Sequence, residues 1–249
     1  MKKLLIAGCS FSYGQGLELF HPTINGKDWP ERPGQWNQLS EEINDFIYKN
    51  RWSKLLSDKL NLEETNVSKP GNSNLSASLL LKEWIKKNGI NDVDTIIFQL
   101  TIPVRAGIIP DEKTGILTGY ELATYLEKYL EDTNWKDFEH NQYILSLLNE
   151  ELNIERNKTC INDLIRMFDE YTKIGIKCYF LEWLTQHELD IPYKLHLFGN
   201  GESVGNWSEE KKLNGGHWMQ ENGYHQYHWE GHLSINGNIE LANEIYKIL

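Results

Sequence analysis

The feature that most constrains this chain is its opening run, Leu4-Leu5-Ile6-Ala7, which passes without a spacer into Gly8-Cys9-Ser10-Phe11-Ser12-Tyr13-Gly14. Four apolar residues closed by glycine and small hydroxyl residues read as a buried strand whose end projects side chains at the carboxyl edge of a sheet. Open α/β sheets build their ligand sites at that edge. Ser10 is therefore the first candidate functional residue, and the rest of the chain is read for what it can bring to meet it.

Further along, strand and helix signals alternate. Arg51–Leu60 places Trp52, Leu55, Leu56 and Leu60 at helical spacing, and Glu64–Ser68 is a brief strand candidate. Lys69-Pro70-Gly71-Asn72-Ser73-Asn74 makes a tight turn, with Ser73 or Asn74 capping a helix over Leu75–Lys87. Val93–Leu100 is the best central strand, ending at Gln99-Leu100-Thr101 with Arg105 just beyond. Helices are expected around Tyr120–Leu130 and Phe138–Leu148, and a stronger one over Glu151–Tyr171. A strand follows over Gly175–Trp183, with Cys178 inside it as a small buried hydrophobe, and Ile235–Leu249 closes the chain as a helix capped by Ser234. This alternation predicts an α/β fold, a parallel sheet with helices on both faces.

Two segments resist such a reading. Leu17–Lys49 carries Pro22, Pro30, Pro33, Gly26 and Gly34, which exclude a long element through its middle, though Ile43, Phe46 and Ile47 suit one short helix. It leaves directly from the Ser10 strand and is placed to wall that site. His187–Tyr227 is rich in glycine and histidine. Long irregular connections in a compact domain usually serve a site.

The function classes are narrowed by charge and cysteine use. A formal net charge of −11 argues against broad contact with nucleic acid or an anionic membrane surface. No apolar stretch is long enough to span a bilayer, and the start is too short for a secretory h-region, so a cytoplasmic address is expected. Cys9, Cys160 and Cys178 are odd in number and lack metal-ligand spacing, and no cofactor is called for. His217, His225, His228 and His232 crowd around Glu230, but their spacing matches no compact zinc signature, so no metal is assigned. Nine tryptophans and twelve tyrosines suit a carbohydrate or nucleoside ligand, a core, or the interface of a homo-oligomer.

A serine hydroxyl becomes a useful nucleophile when an imidazole takes its proton and a third group orients the imidazole. Glu230 and His232 lie on the loop entering the last helix, which returns to the same sheet edge if that helix runs alongside its neighbours. The candidates are thus Ser10 as nucleophile, His232 as base and Glu230 as the orienting carboxylate.

These motifs carry a resemblance. Gly8–Gly14 resembles the first block of the SGNH (GDSL-like) hydrolases, Lys69–Asn74 the second, and Glu230-Gly231-His232-Leu233-Ser234 with Asn236-Gly237 the last. The resemblance implies a three-layer α/β/α sandwich with a mostly parallel, flavodoxin-like sheet, as one domain over 1–249 with insertions at about 17–49 and 184–227. It also implies an oxyanion hole built from the Ser10 and Gly71 amides, with Asn74 or Thr101 as a further donor, and substrate contacts at Tyr13 and Arg105. The chain departs from the family in three places. Cys9 replaces the aspartate before the serine, Gln99-Leu100-Thr101 replaces the Gly-x-Asn of the third block, and the acid is two residues before the histidine. The implied activity is acyl transfer from small esters, such as O-acetyl groups on sugars. The altered third block motivates the alternative, an SGNH-like domain redirected to bind a sugar, nucleotide or protein partner.

Overall fold

The computed structural model describes residues 1–23, 39–101, 150–182, 191–195 and 232–249. Among them four strands form one sheet: β1 (Lys3–Ala7), β2 (Glu63–Asn66), β3 (Val93–Leu100) and β4 (Lys177–Glu182). Their order is β2-β1-β3-β4 and every pairing is parallel. The helices are α1 (Ser10–Tyr13), α2 (Glu41–Asn50), α3 (Trp52–Leu60), α4 (Asn74–Asn88), α5 (Glu150–Lys173) and α6 (Ile235–Ile248), with a 3-10 turn at Leu17–Phe20. The expected α/β class and parallel sheet are what the chain forms. The expected helices at 120–130 and 138–148 lie outside the described residues.

The period of two along each strand sorts side chains into two cores. Leu4 and Ile6 of β1, Ile97 of β3 and Leu181 of β4 face one way and pack with Trp52 and Leu56 of α3 and Leu241, Ala242 and Ile245 of α6. Leu5 and Ala7, Ile96 and Phe98, and Cys178 and Phe180 face the other way, against Ala77 and Leu81 of α4 and Ile161, Leu164 and Phe168 of α5. The sheet is thus covered on both faces, which is why β1, β3 and β4 carry apolar runs, while β2 (EETN) at the edge is polar. Trp52, Phe98, Phe168 and Phe180 are the largest fully buried side chains. Truncating any of them to alanine should cost about 3–5 kcal/mol.

Local signals set the helix ends. Ser73 caps α4 in a reciprocal capping box with Ser76, so of the two expected caps it is the serine that serves. Ser234 caps α6 by accepting from the Gly237 amide at 3.1 Å. Asn61 ends α3 in the left-handed conformation at φ 55°. In this strand order the chain leaves β1 toward one side and later crosses to β3 on the other. A crevice therefore opens above the carboxyl ends of β1 and β3.

Candidate active site

Ser10 is the first residue of α1, immediately past the end of β1. The β1–β3 register pairs Ala7 with Phe98, which sets Gly8 opposite Gln99. A Cβ on Gly8 would lie 2.7 Å from Gln99 Oε1 and 2.8 Å from Gln99 Cβ. No side chain fits there, so the glycine before Cys9-Ser10 answers to a space filled from the neighbouring strand. Gln99 is buried, and its Oε1 accepts from the Cys9 amide at 3.1 Å and the Ser12 hydroxyl at 3.1 Å. Its Nε2 donates to the Leu100 carbonyl at 3.0 Å.

Other carboxamides lace the same edge. Asn72 donates to the Gly8 carbonyl at 2.9 Å, tying the Gly71 turn to the end of β1. Gly71 itself takes φ 76°, a left-handed conformation that favours glycine. Asn66, at the end of β2, donates to the Ser12 carbonyl at 2.6 Å. Asn74 accepts from the Thr101 amide at 2.8 Å and donates to the Thr101 carbonyl at 3.2 Å and to Asn157 Oδ1 at 2.6 Å. Buried backbone groups past the ends of a sheet need such partners, since no further ladder satisfies them.

His232 arrives from the other end of the chain, two residues before the cap of α6. Its Nε2 lies 3.0 Å from Ser10 Oγ. The imidazole packs on the Phe11 ring, with centroids 4.7 Å apart and planes at 33°. Asn238, one turn into α6, fixes this loop: it donates to the Ser234 carbonyl at 3.0 Å and accepts from the Trp52 amide at 2.9 Å. One side chain therefore holds the histidine loop and caps α3 together.

Of the residues expected at the site, the structure brings Ser10 and His232 within hydrogen-bond reach. It sets the Gly71 turn beside Gly8, and it joins Asn74 to the backbone of Thr101. Tyr13 ends α1, where burial raises its hydroxyl pKa against the lowering influence of Arg51. Glu230 and Arg105 lie outside the described residues. So do His217, His225 and His228; among the described residues no group of His, Cys, Asp and Glu could hold a metal ion. Asn66, Asn72, Asn238 and the bracketing role of Gln99 were not singled out by sequence reasoning. Asn66 lies between Thr65 and Val67 and Asn238 inside α6, so no local signal in the sequence marks them as a group.

Cysteine chemistry has little room elsewhere. Cys160 and Cys178 are buried, and desolvation raises both thiols, Cys178 to about 12. A neutral thiol is a poor nucleophile.

No protein-family model matches this sequence, and no curated protein does. Solved structures do resemble it. One is a protein assigned to the lipolytic G-D-S-L family from Desulfitobacterium hafniense DCB-2, at 10% identity over the whole of both chains and a TM-score of 0.38. An acetyl xylan esterase from the rumen bacterium Butyrivibrio proteoclasticus aligns with all of this chain at 13% identity and a TM-score of 0.43. A family two carbohydrate esterase from Clostridium thermocellum aligns with 99% of it at 10% identity and a TM-score of 0.37. The present chain spans 63% of the length of each of these two esterases. At identities this low, the chemistry is read from the residues of this chain.

Proposed function

We propose that this protein is an SGNH-type serine hydrolase acting on small esters, with O-acyl or O-acetyl groups on a carbohydrate or similar polar acceptor as the substrate class. The observation that carries the reading is the 3.0 Å approach of His232 Nε2 to Ser10 Oγ, between residues 222 positions apart in sequence. A hydroxyl at a strand end needs no distant imidazole in order to cap a helix. A nucleophile does.

In this reading His232 holds its proton on Nδ1, for which we assign Glu230 as the acceptor, and accepts the Ser10 proton at Nε2. The serine oxygen attacks the ester carbonyl and forms the C–O bond of a tetrahedral intermediate. We assign its oxyanion to the backbone amides of Ser10 and Gly71. With the Asn74 amide donating to the Thr101 carbonyl and to Asn157 Oδ1, we assign Asn74 the part of fixing Thr101, and the part of further donor to the Thr101 hydroxyl. Each oxyanion donor contributes about 3–4 kcal/mol. Collapse expels the alcohol, which takes the proton from His232 and leaves the acyl group on Ser10. Water or another hydroxyl, deprotonated by the same imidazole, then releases it. Tyr13 and Arg105 would face the acceptor. The reaction calls for no cofactor or metal, and the net charge of −11 suits a neutral or polar substrate better than a polyanion.

Fluorophosphonate labelling tests the assignment. The expected result is covalent modification at Ser10, lost in S10A, with p-nitrophenyl acetate turnover lost in both S10A and H232A. Equal, weak turnover in wild type and both variants would instead favour the redirected, ligand-binding reading, which the replacement of the third-block Gly-x-Asn by Gln99-Leu100-Thr101 motivates.

A further inference from the structure

We infer that Gln99 is a positioning residue for the reaction proposed above: its carboxamide holds the Cys9–Ser12 turn in the one arrangement that presents Ser10 Oγ to His232. The inference rests on the hydrolase reading only for its catalytic consequence; the bracket itself is a matter of geometry.

Consider what fixes a serine on a four-residue helix. Cys9 provides no side-chain cap to α1, and a helix this short has little rigidity of its own. The restraint must come from outside. Gln99 stands on β3, the adjoining strand, and is 1% exposed. It grips the turn at two points on either side of Ser10, the Cys9 amide and the Ser12 hydroxyl, both at 3.1 Å. The Cys9 amide is a fixed donor, so it settles which end of the carboxamide is oxygen. Nε2 then points back to the Leu100 carbonyl at 3.0 Å and the Cys9 sulfur at 3.3 Å, anchoring the grip to the strand that supplies it. Gly8 is the complement of this arrangement, since any side chain there would occupy the volume of the glutamine. Gly8 and Gln99 thus form a matched pair across β1 and β3.

A bracket on both sides of the nucleophile governs its position rather than its basicity or its contact with substrate. A displacement of about 1 Å in a reacting group can lower rate about 100-fold. Gln99→Leu should therefore lower kcat and the rate of fluorophosphonate labelling by about 10- to 100-fold while KM changes by less than about threefold.

Gln99→Glu supplies the readout that a packing role would not move. A neutral carboxylic acid has an acceptor for Cys9 and Ser12 and an O–H for the Leu100 carbonyl, reproducing the carboxamide. The carboxylate has no donor for Leu100. Burial favours the neutral form, so the ratio of Q99E to wild-type kcat should rise as pH is lowered. Ser12 is fully buried but belongs to neither apolar cluster, and Ser12→Ala removes one grip point with the loss of a single oxygen, so it reports even where Q99L folds poorly. It should lower kcat severalfold and combine with Q99E less than additively. Amide hydrogen exchange at Cys9 checks the bracket independently of turnover: protection should fall at least about tenfold in Q99L.

Wild-type kcat in folded Q99L and S12A, or unchanged Cys9 exchange in Q99L, would overturn the role of Gln99. A wild type that neither labels nor turns over ester, yet loses Cys9 protection in Q99L, would overturn the hydrolase reading and leave the bracket standing.

Discussion

Ser10 and His232, the two side chains we propose to react, are held in different ways. Ser10 sits on a sheet edge gripped by Gln99 from β3, with Asn72 on the Gly8 carbonyl and Asn66 on the Ser12 carbonyl. Among the described residues, the loop of His232 has one comparable carboxamide, Asn238, which joins it to α6 and to the start of α3. The serine therefore moves with the sheet, and the histidine with the helical layer on one face. The 3.0 Å between them depends on the registry of those two layers, and among the described residues the carboxamide contacts are concentrated on the serine arm.

Removing the two groups proposed to react should give the largest effect. S10A and H232A should each lower kcat by about 10³- to 10⁶-fold, and the double variant should be scarcely worse, because the two groups act as one unit. A double variant showing the product of the two losses, measured with p-nitrophenyl acetate, would mean that serine and imidazole work separately.

The next effect separates the arms. Asn238 is buried, and replacing it with alanine strips acceptors and donors from Trp52, Leu233 and Ser234 at once. Unmet buried polar groups cost about 1–3 kcal/mol each. N238A should therefore melt at lower temperature and, below its melting range, lose kcat about tenfold or more through misplacement of His232. Fluorophosphonate labelling should slow with it. Full kcat in N238A would show that Phe11 and the Ser234 cap suffice to hold the imidazole.

How far this arrangement was legible in the sequence differs between its parts. β1, β3, β4 and the long helices were, because their apolar periods are dictated by burial on both faces of a sheet; β2 (Glu63–Asn66) has no such period and was expected over Glu64–Ser68. Val93–Leu100 was read with its observed limits, and the closing helix differs only at its last residue. The pairing of a serine near the start with a histidine near the end followed from both lying at strand or helix entrances on one edge. The short elements after Ser10 were not legible. Neither α1 nor the 3-10 turn at Leu17–Phe20 has the length to show a period, and both are held by tertiary contacts. The same is true of the carboxamides. An asparagine in a turn reads as turn chemistry, and only the assembled edge shows Asn72 reaching Gly8 across 64 residues or Asn238 reaching Trp52 across 186.

A smaller effect is expected on the serine arm. Asn72→Ala leaves the Gly8 carbonyl buried without that donor and should cost about 1–3 kcal/mol in urea unfolding. Gln99 and Asn66 still hold the turn, so kcat should fall only a few fold, well short of the N238A loss. A kcat loss in N72A equal to that in N238A would erase the contrast between the arms.

The smallest effect on activity should come from the layer that carries neither arm. Cys178 lies on β4 with its side chain in the core against α4 and α5, and burial raises its thiol from an ordinary 9.0 to about 12. Between those values the unfolded chain releases a proton that the folded chain keeps. The folded state then binds more protons, so stability falls as pH rises. The contribution is fully present below pH 9 and is lost as pH climbs toward about 12. Urea midpoints measured across that window should drop more steeply in wild type than in C178A, which has no thiol to ionise. At neutral pH, C178A should retain wild-type kcat, because a cavity in this layer leaves the registry of Ser10 and His232 unchanged. A kcat loss in C178A comparable to that of N238A would mean that the two layers are coupled through the sheet, and that the histidine arm is not the distinct point of sensitivity.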